Sequence, residues 1–187
     1  MVSIIVPQFI LNEYKNENFQ GDLDAWIMYI DLIGFTPFTA SLLQDSGAGA
    51  EEVSDLLNAV FSPLVTIVYN HGGFIPHFAG DAFYGIFPKS TTDIYVFAVA
   101  VKKVHAYFRT KNAKNKILSV SVKIGLDVGK ISWGIVGKNP YSYFFSGNVI
   151  RNSAICQQKA RFQKEGIVFT ESIRDYFETI DLHAIPI

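Results

Sequence analysis

Two aspartates fifty residues apart, Asp31 and Asp81, each stand in a short glycine-bearing turn after an apolar run. The first lies in Trp26-Ile27-Met28-Tyr29-Ile30-Asp31-Leu32-Ile33-Gly34, where a buried strand runs out into a carboxylate and then into a glycine that would let a phosphate approach the backbone. The second lies in Phe78-Ala79-Gly80-Asp81-Ala82-Phe83, which reads as a hairpin with Ala79-Gly80-Asp81 at its turn. Adjacent strand ends would bring the two carboxylates together. Such a pair suits a hard divalent cation carrying nucleotide phosphates. Each aspartate also has a plainer reading, Asp31 as a helix cap and Asp81 as a turn former.

The elements that must position them alternate. Ala25–Leu32 is a short apolar run and predicts a buried strand. Glu51–Asn70 carries apolar residues at helical spacing, with Pro63 expected to kink or divide the helix. Gly72-Gly73 stops it, and His71 is read as interacting with its end. A second amphipathic helix spans about Thr92–Thr110, with Ser90–Asp93 as a capping box, followed by a polar loop at Lys111–Lys116. Leu118–Val128 and Ile131–Val136 are read as two strands with Asp127–Lys130 as the turn between them. Gly147–Gln163 predicts a helix, Ile167–Thr170 a strand and Glu171–Phe177 a last short helix. This order fits an α+β sandwich, a ferredoxin-like βαββαβ core with an appended β-α-β tail.

The chain of 187 residues suits one domain, 1–187, with residues 1–23 as a lead-in segment. A net charge of −1 with scattered basic residues argues against nucleic acid as a partner. The single Cys156 excludes an internal disulfide, and no His/Cys spacing suggests zinc. Neither a signal peptide nor a membrane span is visible, so a cytoplasmic domain is expected.

Three runs carry a family resemblance: Asp31 to Thr36 (D-L-I-G-F-T), Phe78 to Asp81 (F-A-G-D) and Gly125 to Gly137 (G-L-D-V-G-K-I-S-W-G-I-V-G). In this order they resemble the catalytic domain of class III adenylate and guanylate cyclases, over Ile4 to Tyr176. The opening Ile5–Leu11 resembles the lead-in to the first cyclase half of the soluble, bicarbonate-responsive adenylyl cyclases. The resemblance implies conversion of ATP or GTP to the 3′,5′-cyclic nucleotide and pyrophosphate with two Mg2+ or Mn2+ ions, ATP being favoured. It implies Asp31 and Asp81 as the metal carboxylates and the Ile33 carbonyl as a further metal contact. Backbone amides of Gly34, Phe35 and Thr36 would cradle the phosphates. Lys130 falls where the family's first halves place an Arg on the triphosphate; its plain reading is a solvated surface lysine.

The departures are as informative. Where symmetric homodimers of the family carry a base-reading Lys and Asp, and an Asn and Arg for the ribose and transition state, this chain has His77, Phe144, Arg151 and Ile155. Phe144 is expected to pack on apolar neighbours. The chain keeps the metal half of the site and lacks the base half, the pattern of a first half completed by a second cyclase domain in the same or another chain. Alone, it is expected to pair with itself and to turn over little substrate. The alternative is an inactive pseudo-cyclase that dimerises and binds a nucleotide or small anion. The diguanylate cyclase signature is absent, Gly72-Gly73 being followed by Phe-Ile-Pro.

Overall fold

Two long strands, paired along their length, form the spine of the molecule. A computed structural model describes residues 6–35, 50–114, 121–160 and 166–178, with the side chains of 50–53, 56 and 109–114 left aside. Helix α1 (Gln8–Lys15) precedes strand β1 (Gln20–Ile33). Then come α2 (Ala50–Asn70), β2 (Phe78–Ala79), β3 (Ala82–Pro88), α3 (Ile94–Lys114) and β4 (Ser121–Gly137). The chain continues through β5 (Tyr141–Ser146), α4 (Asn148–Ala160), β6 (Ile167–Phe169) and α5 (Glu171–Glu178). The strands run β2-β3-β1-β4-β5, with β6 pairing parallel to β4. Strands β4, β1, β3 and β2 give the ferredoxin-like order, and β5-α4-β6 is the appended tail.

Strand β1 is central, so both of its faces are covered. Trp26, Met28, Ile30 and Leu32 point into the main core with Leu64 and Val68 of α2, Phe97 and Val104 of α3, and Ile173 of α5. Ala25, Ile27 and, partly buried, Tyr29 point the other way, into a smaller cluster with Tyr84, Ile86, Ile131 and Val149. Phe9 of α1 closes that cluster, its ring stacked on Phe74 at 5.2 Å and edge-on to Trp133 at 5.3 Å. Burial on both faces explains why β1 reads as a continuous apolar run.

Several sequence expectations are corrected. Strand β1 starts at Gln20, inside the expected lead-in, because Gln20–Asp24 pairs with Lys130–Gly134 of β4. Ladder pairing there is invisible to a search for apolar runs. Asp127–Lys130 is no turn, since β4 passes through it unbroken and the true hairpin lies between Gly137 and Tyr141. Gly129, the glycine within Asp127–Lys130, packs against Val149 of α4, and four residues earlier a Cβ on Gly125 would run into the Ser153 carbonyl and the Gln157 amide of the same helix. Strand β5 was missed with that hairpin. Pro63 lies inside an unbroken α2. Its missing N–H leaves the Ala59 carbonyl without its helical donor, and the Tyr107 hydroxyl of α3 donates to that oxygen at 2.8 Å. The cap of α3 is Asp93, whose Oδ1 accepts the Val96 amide at 2.8 Å, so the cap is the last residue of the expected box, three after Ser90. Residues 111–114 of the expected loop are helical, whereas 115–120 and 161–165 lie outside the described residues.

Candidate active site

Asp31 sits near the end of β1, opposite Ala82 of β3 on one side and Lys123 of β4 on the other. Asp81 precedes Ala82 in the two-residue turn that follows Phe78–Ala79, with Gly80 at φ +66° making the turn possible. Asp81 therefore stands in the turn, one residue beyond the last β1–β3 ladder pair, Asp31–Ala82, whose Cα atoms lie about 5 Å apart. Gly34 follows at φ +83°, and helical backbone starts at Phe35. The Phe35 side chain is buried, edge-on to Phe61 at 5.5 Å, which pins the chain as it leaves β1. Ile33 is exposed at the strand end. Thr36 lies outside the described residues.

Asp31 is not a bare carboxylate. The Lys123 ammonium lies 2.5 Å from its Oδ2, with the two side chains only 16% and 20% exposed. The Gln157 amide of α4 donates to the same oxygen at 2.7 Å. Neither residue was singled out from the sequence. Lys123 carried a signal, alternation with buried Val122 and Ile124, but its pairing with Asp31 needs the β1–β4 register. Gln157 reaches the site because Gly125 lets α4 settle onto β4.

Neighbouring ionisable groups are kept neutral. Burial, with smaller contributions from Tyr29 and Tyr143, pushes the Tyr84 hydroxyl up to about 12. Burial, and then the Asp31 charge, also raises Tyr29. The Cys156 thiol is raised by burial and by Asp127, so it stays protonated and is no nucleophile. Asp127 is itself buried, accepting from the Thr170 hydroxyl and the Val128 amide.

Lys130 is not brought to this site. It pairs with Asp24, seven residues along β4 from Lys123, or about 23 Å of strand. Its ammonium lies 3.8 Å from Asp22 Oδ2 in an exposed pair. His77, Phe144, Arg151 and Ile155 are all exposed. His77 stands edge-on to Tyr84 at 5.4 Å. Phe144 is 47% exposed and lies over the backbone of Gly134, so it is no core residue.

The donor set fits a hard cation with phosphate ligands. Among the described residues no three His, Cys, Asp or Glu side chains gather, so two carboxylates would leave most of a six-oxygen shell to backbone carbonyl, water and phosphate. The two carboxylates thus stand on an α+β sandwich, one near the end of the central strand β1 and the other in the turn between β2 and β3.

Comparison with known proteins agrees. The family described as the adenylate and guanylate cyclase catalytic domain matches residues 20–181, and this chain belongs to that family. Human adenylate cyclase type 10 is 30% identical over 152 residues, covering 76% of this chain and 9% of the relative. The chain thus spans about a tenth of the length of such curated relatives. A bacterial light-regulated adenylyl cyclase superposes with a TM-score of 0.73 at 18% identity, over 91% of this chain and 51% of that one. The adenylyl cyclase CyaB from P. aeruginosa gives 0.67 at 19% identity, over 86% and 83%. No helix among the described residues is long and apolar enough to cross a membrane.

Proposed function

We propose that this domain supplies the metal half of a nucleotide cyclase site completed by a second cyclase domain, and that the site converts ATP, or GTP, to the 3′,5′-cyclic nucleotide. The observation that carries this reading is the adjacency of Asp31 and Asp81 across β1 and β3, beside a turn at Gly34. In the reaction the ribose 3′-oxygen bonds to the α-phosphorus while the bridging bond to the β-phosphate breaks. Pyrophosphate leaves with the electron pair, and the hydroxyl proton is lost to water. Two divalent cations, Mg2+ or Mn2+, would supply the charge that lowers the hydroxyl pKa and holds the triphosphate.

The chain's own part is binding and orientation. Asp31 and Asp81 would hold the cations, with the Ile33 carbonyl as a further ligand and the Gly34, Phe35 and Thr36 amides toward the terminal phosphates. Lys123, at 2.5 Å from Asp31, neutralises that carboxylate and is close enough to turn its ammonium to a bound phosphate. Lys130, about 23 Å of strand away, is out of reach of a triphosphate held by its own chain's Asp31. Four exposed positions, His77, Phe144, Arg151 and Ile155, carry none of the groups that would read the base or hold the ribose. A second domain must bring them. ATP is favoured by the similarity to adenylate cyclase type 10.

The deciding experiment measures cyclic nucleotide made by the purified chain, alone and mixed with a second cyclase domain. Little product alone and turnover on mixing are expected. Robust turnover by the chain alone would sink the split-site reading.

One observation favours the second reading, an inactive regulatory domain. Lys123 neutralises Asp31, so the two acidic groups persist without a cation and without severe repulsion. The combined variant His77→Lys, Phe144→Asp, Arg151→Asn and Ile155→Arg tests it. All four positions are exposed and tolerate polar groups. A folded, dimeric combined variant that binds Mn2+ yet makes no cyclic nucleotide would favour the inactive domain.

A further inference from the structure

Gln157 is out of place as an ordinary helix residue. It is 5% exposed, on the face of α4 that lies against β4, among the buried Val149, Ser153, Cys156 and Ala160. A buried amide whose donors go unmatched forfeits its hydration without compensation, so a glutamine at such a position needs a partner. Its partner is Oδ2 of Asp31, at 2.7 Å. Lys123 approaches the same Oδ2, and among the described residues Oδ1 takes no hydrogen bond or ion pair.

The two donors differ in what they can fix. A carboxylate turns about its last torsion with two nearly equivalent oxygens, and a lysine ammonium on a four-carbon stem can follow it as it turns. An amide on a packed helix cannot. Helix α4 is held down by its contact with Gly125, where even one methyl group would collide with the backbone at Ser153 and Gln157. Thus the amide is presented from a fixed backbone.

We propose that Gln157 is a positioning residue for the Asp31 carboxylate: it holds Oδ2 from the α4 side and leaves Oδ1 as the oxygen that takes the divalent cation. This rests on the reading of Asp31 as a metal ligand. Partners behind a metal ligand of this kind alter metal affinity by about 10- to 100-fold when removed.

The test uses Mn2+ alone, with free ion followed by electron paramagnetic resonance on the whole chain. Gln157→Met keeps the length and helix preference of the side chain and removes its donor. It should weaken Mn2+ binding by about tenfold or more, with an unchanged circular dichroism spectrum, while Asp31→Ala removes binding. Equal affinity in the wild type and a folded Gln157→Met, with Asp31→Ala binding none, overturns the proposal and leaves the metal reading standing. Binding indifferent to Asp31→Ala overturns the metal reading and the proposal with it. If Gln157→Met does not fold, the wild-type chain decides. In proton–nitrogen correlation spectra the Gln157 side-chain amide should move as Mg2+ is added and stay still in Asp31→Ala. An unmoved Gln157 amide, while the Gly80-Asp81 amides shift, overturns the proposal.

Discussion

The two ends of the β1–β4 ladder carry the same pair of residue types and make opposite use of them. At one end Lys123 meets Asp31 at 2.5 Å, with both side chains four-fifths or more buried and Gln157 on the same oxygen. At the other, Lys130 meets Asp22 at 3.8 Å, with more than half of each side chain in water and only the Ser132 hydroxyl joining them at 2.6 Å. Coulomb attraction between unit charges grows severalfold as the effective dielectric falls from that of water toward that of a protein surface or interior. An aspartate and a lysine across two strands therefore mean little until their burial is known. The two pairs also lie on opposite faces of the sheet: by strand alternation Lys123 and Asp31 share the face of Gly125, which α4 covers, whereas Lys130 and Asp22 stand on the other face, out in the exposed arm.

The largest effect expected is at the two carboxylates proposed to hold the cations. Asp31→Ala or Asp81→Ala should lower turnover of the domain reconstituted with a second half by about 10³-fold or more, judged against the ~10²–10³ cost of one positioned transition-state donor. Steady-state assays with matched circular dichroism would check it. Unfolding by Asp31→Ala would instead make that residue structural.

Next comes the seat of α4. Gly125→Ala must push back either a helix backbone or a central strand, so a stability loss of about 3 kcal/mol is expected, at the upper end for overpacking. Urea unfolding should show a lower midpoint at constant slope, and reconstituted activity should fall with it. A neutral Gly125→Ala would mean that α4 is not seated as described, and the contrast between the two ladder ends would lose its cause.

Lys123→Met and Lys130→Met then compare the two ends directly. Removing Lys123 leaves a largely buried carboxylate with Gln157 alone, for a loss of about 1–2 kcal/mol, less than a fully buried broken pair because water still reaches a fifth of Asp31. Removing Lys130 should cost under about 0.5 kcal/mol and should leave the reconstituted KM for nucleotide unchanged. A tenfold rise in KM for Lys130→Met would assign that lysine to a triphosphate held elsewhere than at its own chain's Asp31.

The smallest effect at neutral pH belongs to the tyrosines beside Asp31. Tyr84 is raised from 10.0 to about 12, mainly by burial. The folded state thus holds that proton where the unfolded chain has lost it, so stability is unaffected well below pH 10 and falls from pH 10 toward 12. Tyr84→Phe should remove part of this alkaline loss in denaturation experiments followed from pH 8 to 11.5. An unchanged slope would show that another group titrates there.

Much of the site was legible because its parts are local. Strand-then-turn patterns around Asp31 and Asp81 specify where the chain reverses, and the β2–β3 hairpin closes within a few residues. What went unread depends on contacts distant in sequence. Pro63 looks like a break until Tyr107, forty-four residues on, supplies the donor that proline lacks. Gly129 looks like a turn residue until Val149 of α4 packs against it. Phe144 looks like core from its type, yet it stands within β5 half in solvent.

The sequence by itself determined the α+β order, the two aspartates in their turns and the residue types at His77, Phe144, Arg151 and Ile155. Each of these is a matter of residue type at a position, or of periodicity within one element. Only the tertiary structure decided that Lys123 and Gln157 attend Asp31, and that Lys130 stands about 23 Å of strand away. The reason is register. A strand's pattern says which residues share a face, but a shift of pairing by two residues keeps every side chain on its face and changes every cross-strand neighbour.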